Sequence, residues 1–116
     1  SRLDFCLQGP QGLHLVEVKG VTLEDGGHAL FPDAPTERGV RHLRELASAV
    51  VLGHRATVFF VIQMAEVTDF APNDATHPAF GEALRQAVAA GVQAAAYTCR
   101  VAPDSIVIDR PVPVIL

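Results

Sequence analysis

The stretch Leu3-Asp4-Phe5-Cys6-Leu7-Gln8-Gly9-Pro10-Gln11-Gly12-Leu13-His14-Leu15-Val16-Glu17-Val18-Lys19 alternates apolar and polar residues, turns, and alternates again. Leu3, Phe5 and Leu7 separated by Asp4, Cys6 and Gln8 have the period of a β-strand. Gly9-Pro10-Gln11-Gly12 supplies the turn, with two glycines free to take positive φ and Pro10 fixing its own. If Gln8 pairs with Leu13, each facing pair has the same sum, and Asp4 stands opposite Glu17. Facing residues of an antiparallel pair point to one side of the sheet, and Lys19, two positions beyond Glu17, shares that side. The hairpin therefore gathers two carboxylates and an ammonium group on one patch.

Outward from the hairpin, Leu13 to Leu23 reads as one long strand. Glu24-Asp25-Gly26-Gly27 reads as a turn and His28 to Phe31 as a third strand, completing a meander. Pro35 and Thr36 open a helix, with Thr36 a candidate cap. Val40, Leu43, Leu46, Ala47, Val50 and Val51 recur at helical spacing and Gly53 ends it. Ala56 to Ile62 is apolar almost throughout, as in a strand covered on both faces. Met64 to Thr76 reads as a polar loop. A second helix starts near Pro78, buries Phe80, Ala83, Leu84, Ala87 and Val88, and stops at Gly91. Val92 to Arg100 is another strand. Ile106 to Ile108 and Val112 to Leu116 are edge strands, where Pro111 and Pro113 are tolerated. The order β-β-β-α-β-α-β plus terminal edge strands predicts an α/β fold, a mixed sheet flanked by helices.

The 116 residues suffice for one domain, 1–116. With 49% hydrophobic and 19% charged residues the chain can build a core. No stretch is long and apolar enough for a membrane span, and the start Ser1-Arg2-Leu3-Asp4, strand-like and without an apolar run, is not expected to be a signal peptide. The first residue is not methionine, so the chain is expected to begin inside a longer product. Cys6 and Cys99 lie far apart in sequence and are expected as reduced, mostly buried thiols of a cytoplasmic protein, too isolated for zinc. The net charge of −4 argues against a broad nucleic-acid-binding surface but leaves room for a local basic patch.

Two facing carboxylates are unfavourable alone, and a divalent cation removes the conflict. Hard oxygen ligands suit Mg²⁺, which accepts a few carboxylates together with water and phosphate. Such an ion polarises a phosphoryl oxygen, and Lys19 can stabilise the charge that builds there. The plainer alternative is that Glu17 and Lys19 neutralise each other while Asp4 is solvated. Spacing alone favours this alternative.

Several segments carry a family resemblance: Ser1-Arg2-Leu3-Asp4-Phe5, Val16-Glu17-Val18-Lys19, Val21-Thr22-Leu23, Phe31-Pro32-Asp33-Ala34 and Thr36-Glu37-Arg38-Gly39. His42-Leu43-Arg44-Glu45-Leu46, Phe70-Ala71-Pro72, Pro78-Ala79-Phe80, Gly91-Val92 and Tyr97 continue it. In this order and spacing, over nearly the whole chain, they resemble the sugar fermentation stimulation protein A family. Its carboxyl-terminal domain is similar to the PD-(D/E)-x-K nucleases, so the resemblance implies a restriction-endonuclease-like core. It also implies a preceding OB-like domain, which this chain is expected to lack. It implies Asp4 as first acid, Glu17 as second and Lys19 as the lysine, with Asp4, Glu17 and the Val18 backbone carbonyl as metal ligands. It further implies DNA as partner and Mg²⁺ or Mn²⁺ as cofactor, with no organic cofactor. An additional acid that some relatives carry on a preceding helix would lie upstream of Ser1.

Arg38, Arg41, His42 and Glu45 are read on the polar side of the first helix, with Arg38 and His42 as candidate phosphate contacts. An ordinary solvated face with an Arg41–Glu45 pair is the alternative. Asp33 is expected to cap that helix rather than bind metal. His77 is expected at the surface. Glu66, Asp69 and Asp74 are read as a solvated loop, Gln63 as a strand-end amide, and Tyr97 as core with its hydroxyl at an edge. His14, His28 and His54 have no partners at ligand spacing. Three functions follow: a metal-dependent DNA nuclease, a catalytically silent nuclease fold that binds DNA to regulate sugar-metabolism genes, or a domain that binds another protein.

Overall fold

A computed structural model describes residues 4–10 and 12–116. Leu3, expected to begin the first strand, lies outside the described residues. Strands β1 (Phe5–Gly9) and β2 (Gly12–Val21) form the antiparallel hairpin with Gln8 opposite Leu13 and Phe5 opposite Val16. The register is the expected one. Gly12 takes φ of 100°, the left-handed conformation that suits glycine at this turn.

The expected strand from Leu13 to Leu23 is two strands in two sheets. After Val21 the chain leaves the first sheet, and β3 (Leu23–Asp25) pairs with β4 (His28–Phe31) in a separate small sheet. The opening is therefore not a meander. β2 finds its second neighbour in β5 (Arg55–Ile62), which runs parallel to it. Such parallel pairing requires a crossover, supplied by helix α1 (Glu37–Val51). Thr36 caps α1, its hydroxyl accepting from the Gly39 N–H at 3.0 Å, while Asp33, expected in that role, is exposed.

The segment expected as loop contains β6 (Asp69–Pro72), parallel to β4. Its only large apolar residue, Phe70, gives no period to detect. Helix α2 (Pro78–Ala90) ends at Gly91, whose φ of 116° is left-handed. β7 (Gln93–Ala102) pairs parallel to β5, and β8 (Ser105–Val112) returns antiparallel beside it. β8 is thus one strand that runs through Pro111, tolerable because it is the sheet's edge. The larger sheet has the order β1-β2-β5-β7-β8 and the smaller β3-β4-β6.

Ala56, Val58, Phe60 and Ile62 of β5 are buried, whereas Thr57, Phe59 and Val61 between them are only partly covered. One face of this strand, not both, is sealed. Phe60 stacks on Phe70 with centroids 4.2 Å apart and touches Phe31 and Phe80, so one ring joins β5, both neighbouring strands of the small sheet and α2. Asn73, buried, donates to the Pro32 carbonyl and to the Thr76 hydroxyl, tying the chain before α1 to the turn before α2. His77, expected at the surface, is buried, its Nδ1 accepting from the Thr36 N–H. Cys99 is buried as expected, but Cys6 is exposed. Tyr97 is half-buried and stacks on Phe59.

In the small sheet His28 Nδ1 lies 2.7 Å from Asp69 Oδ1. The Asp69 hydrogen bond raises the His28 pKa above its ordinary 6.5. A ring that holds its proton more tightly when folded contributes its stability fully below the unfolded value and loses it as pH rises through the folded one. An NMR titration of His28 is expected to show a midpoint above 6.5 that falls in Asp69→Asn. An unchanged midpoint would refute the pairing.

Candidate functional site

β1 begins one residue after the position that faces Glu17, and Asp4 occupies that position. The Asp4 carboxylate reaches across to β2, where the Val18 N–H donates to its Oδ2 at 2.9 Å. In return the Asp4 N–H donates to Glu17 Oε1 at 3.2 Å. The Val18 hydrogen bond is the main reason the Asp4 carboxyl sits below its ordinary range, against a smaller push upward from burial. Hydrogen bonding with Glu17 and the charges of Lys19 and His42 add to the lowering.

Glu17 points to the face covered by α1 and is 1% exposed. A carboxylate so enclosed needs donors, and it has them. Lys19 Nζ lies 3.2 Å from Oε2, with the lysine side chain only 14% exposed. His42 Nδ1, from α1, contacts the same oxygen. Lys19 Nζ also stands 3.2 Å from that Nδ1, so the three side chains close a triangle. Asp4, Glu17 and Lys19 therefore do converge, as the hairpin register requires.

His42 is 2% exposed, not on a solvated face. Its position three residues after Gly39 and four before Leu46 puts it in the buried stripe of α1, a signal the sequence already contained. Burial is the largest influence on its ring and pulls the pKa below 6.5, opposed by Glu17. Among the described residues its buried Nε2 has no hydrogen-bond partner. A ring so enclosed is not a direct phosphate contact. Arg38 and Arg41 are exposed, and Arg38 precedes His42 by one turn of α1, on the solvent side of the site's rim. Gln63 is exposed at the end of β5, its amide beside Gly20, the residue after Lys19. Asp69 pairs with His28 and Asp74 with Arg85 (2.6 Å), so these two acids of the 64–76 segment are used separately.

Among the described residues no three His, Cys, Asp or Glu side chains form a metal-binding group. The donor set nevertheless fits one hard cation. An ionised carboxylate has about four acceptor positions. Three at Glu17 are taken by Asp4, Lys19 and His42 and one at Asp4 by Val18. Free oxygen capacity thus remains chiefly on exposed Asp4. An ion held there by two carboxylates and the Val18 carbonyl would complete its shell with water and phosphate, as Mg²⁺ does. No helix among the described residues is long and apolar enough to cross a membrane.

This order of strands and helices, with two acids and a lysine on the first hairpin, is a restriction-endonuclease-like α/β fold. The chain belongs to the sugar fermentation stimulation protein family: residues 1–105 match the family model described as the sugar fermentation stimulation protein RE domain. A sugar fermentation stimulation protein homolog of Desulfitobacterium hafniense (strain Y51) is 58% identical over 106 residues, covering 91% of this chain and 46% of that protein. The Geobacter sulfurreducens homolog is 52% identical over 115 residues, 99% of this chain and 49% of its own. The solved structure of Pyrococcus furiosus SfsA in complex with Ca²⁺ superposes with a TM-score of 0.92 at 32% identity, over 100% of this chain and 51% of that one. The chain spans about half the length of the relatives it matches.

Proposed function

We propose that this chain is a divalent-metal-dependent nuclease domain that hydrolyses phosphodiester bonds in DNA. The observation that carries the proposal is the meeting of Asp4, Glu17 and Lys19 at the end of the first hairpin, with Glu17 enclosed and Asp4 open to solvent. Asp4, Glu17 and the Val18 carbonyl would hold Mg²⁺ or Mn²⁺, which when bound supplies Lewis-acid stabilisation of charge on phosphate. Pyrococcus furiosus SfsA, solved in complex with Ca²⁺, supports a divalent ion on this fold.

The chain's own side chains do the rest. Lys19 holds Glu17 and offers a cation to the negative charge that grows on the scissile phosphate. Arg38, exposed near the rim, meets the DNA backbone at a local basic point on a chain of net charge −4. The OB-like segment implied by the family would lie in the remaining half of the relatives' length.

A second reading is DNA binding without cleavage, in regulation of sugar-metabolism genes. It is favoured by the donors already present on both oxygens of Glu17, which satisfy that carboxylate without an ion. Incubation of supercoiled plasmid with the protein separates the two. Nicking that requires Mg²⁺ or Mn²⁺, stops with chelator and vanishes in Glu17→Ala is the expected result. Salt-sensitive DNA retention indifferent to chelator and to that substitution would support the regulator, and no DNA binding would point to a protein partner.

A further inference from the structure

Three donors reach Glu17 from three directions: Asp4 N–H from beside β1, Lys19 Nζ from β2 itself and His42 Nδ1 from α1. They differ in stiffness. Lys19 has a long stem and its head keeps some exposure, and Asp4 is exposed. His42 is short, planar and enclosed, on a helix anchored by Val40, Leu43 and Leu46 in the core. The orientation of the Glu17 carboxylate is therefore set from the helix side.

The ring's two nitrogens are treated differently. Nδ1 has both Glu17 and Lys19 beside it, and the carboxylate is the nearer. A carboxylate only accepts, and Lys19 has Glu17 Oε2 as an acceptor of its own, so the tautomer assigned to the ring puts the proton on Nδ1, toward Glu17, and leaves Nε2 a bare acceptor. Among the described residues Nε2 is buried without a partner. Burying an unpaired polar atom is unfavourable, and an apolar residue in the Leu43–Leu46 stripe would avoid it. A core position that keeps an imidazole for contact with the acid and lysine of the candidate site is serving that site.

We infer that His42 is a positioning residue whose Nδ1–H fixes the rotation of Glu17, so that Oε1 stays turned toward Asp4. The inference rests on the metal-site reading and deepens it. Outer partners that orient a metal ligand affect affinity without touching the ion.

The test is calorimetric titration with Mn²⁺ of the wild-type chain and of His42→Leu, His42→Asn and His42→Gln, with thermal unfolding of each. Asparagine can place an amide N–H where Nδ1 stands, glutamine places it near Nε2, and leucine fills the space with no donor. His42→Leu is expected to weaken Mn²⁺ binding by about 10–100-fold, with His42→Asn recovering most of the loss and His42→Gln little of it. A purely structural role predicts otherwise: affinity would follow stability, and leucine would serve at least as well as asparagine. Mn²⁺ binding undiminished in His42→Leu, or equal in the Asn and Gln variants, overturns the inference while leaving the metal site standing. Absence of Mn²⁺ binding in the wild type overturns the metal site itself. If the leucine variant does not fold, the Asn–Gln comparison decides.

Discussion

Lys19→Met is expected to lower stability by about 3 kcal/mol, far more than deletion of an ordinary surface lysine. Exposed ion pairs contribute about 0–1 kcal/mol. Removing one partner of a buried pair costs about 3–5 kcal/mol, because the other charge is left enclosed. Glu17 is 1% exposed and Lys19 14%, so the lower end of that range applies. For a domain of this size such a loss moves the midpoint of thermal unfolding by roughly 10–15 °C. The double variant Glu17→Met/Lys19→Met separates charge from packing. Replacing both members of a buried pair by apolar groups is often neutral, so the double variant is expected to be more stable than Lys19→Met alone. A double variant as unstable as the single one would mean the lysine acts through its stem. Both variants are expected to lose plasmid nicking.

Phe60→Ala is the second large effect, about 4 kcal/mol. Truncating a buried phenylalanine costs about 3–5 kcal/mol from lost transfer energy and the cavity left behind. Phe60 is fully buried, and its ring is where β5 of the large sheet meets Phe70 of β6, Phe31 of β4 and Phe80 of α2. No smaller side chain can keep all three contacts, so collapse of the cavity is resisted from every side. Urea unfolding is expected to show a lower midpoint with an unchanged slope, the mark of altered stability without altered extent of unfolding. A loss below about 1.5 kcal/mol would mean that the small sheet is held to the domain elsewhere.

The hairpin was legible because its signals are local. Alternation fixes each strand, Gly9-Pro10-Gln11-Gly12 fixes the turn, and the turn fixes which residues face each other. The helices were legible for a similar reason: Thr36, Gly53, Pro78 and Gly91 mark ends, and apolar spacing marks the buried face.

What failed depends on distant parts of the chain. Nothing near Thr22 announces that β2 and β3 join different sheets. That follows from β5 pairing with β2 and β4 with β3. β6 exists because β4 offers it an edge, and its four residues carry little pattern of their own. Asp33 lost the capping position to Thr36, which sits one residue before the helix.

The candidate site divides the same way. Asp4, Glu17 and Lys19 come from one hairpin, and their meeting could be read from its register. His42 comes from the helix that the crossover lays over β2. Reading Arg38, Arg41, His42 and Glu45 as one polar face hid the fact that His42 also falls in the stripe of Gly39, Leu43 and Leu46. A polar residue inside an apolar stripe was the signal, and it marks contact with something buried.

The most direct measurement is anomalous diffraction from crystals of the chain soaked in Mn²⁺. A single strong peak bridging the carboxylates of Asp4 and Glu17, absent from Asp4→Asn crystals, is the predicted result. Full-occupancy Mn²⁺ elsewhere, with none between those two acids, would contradict the proposed metal site.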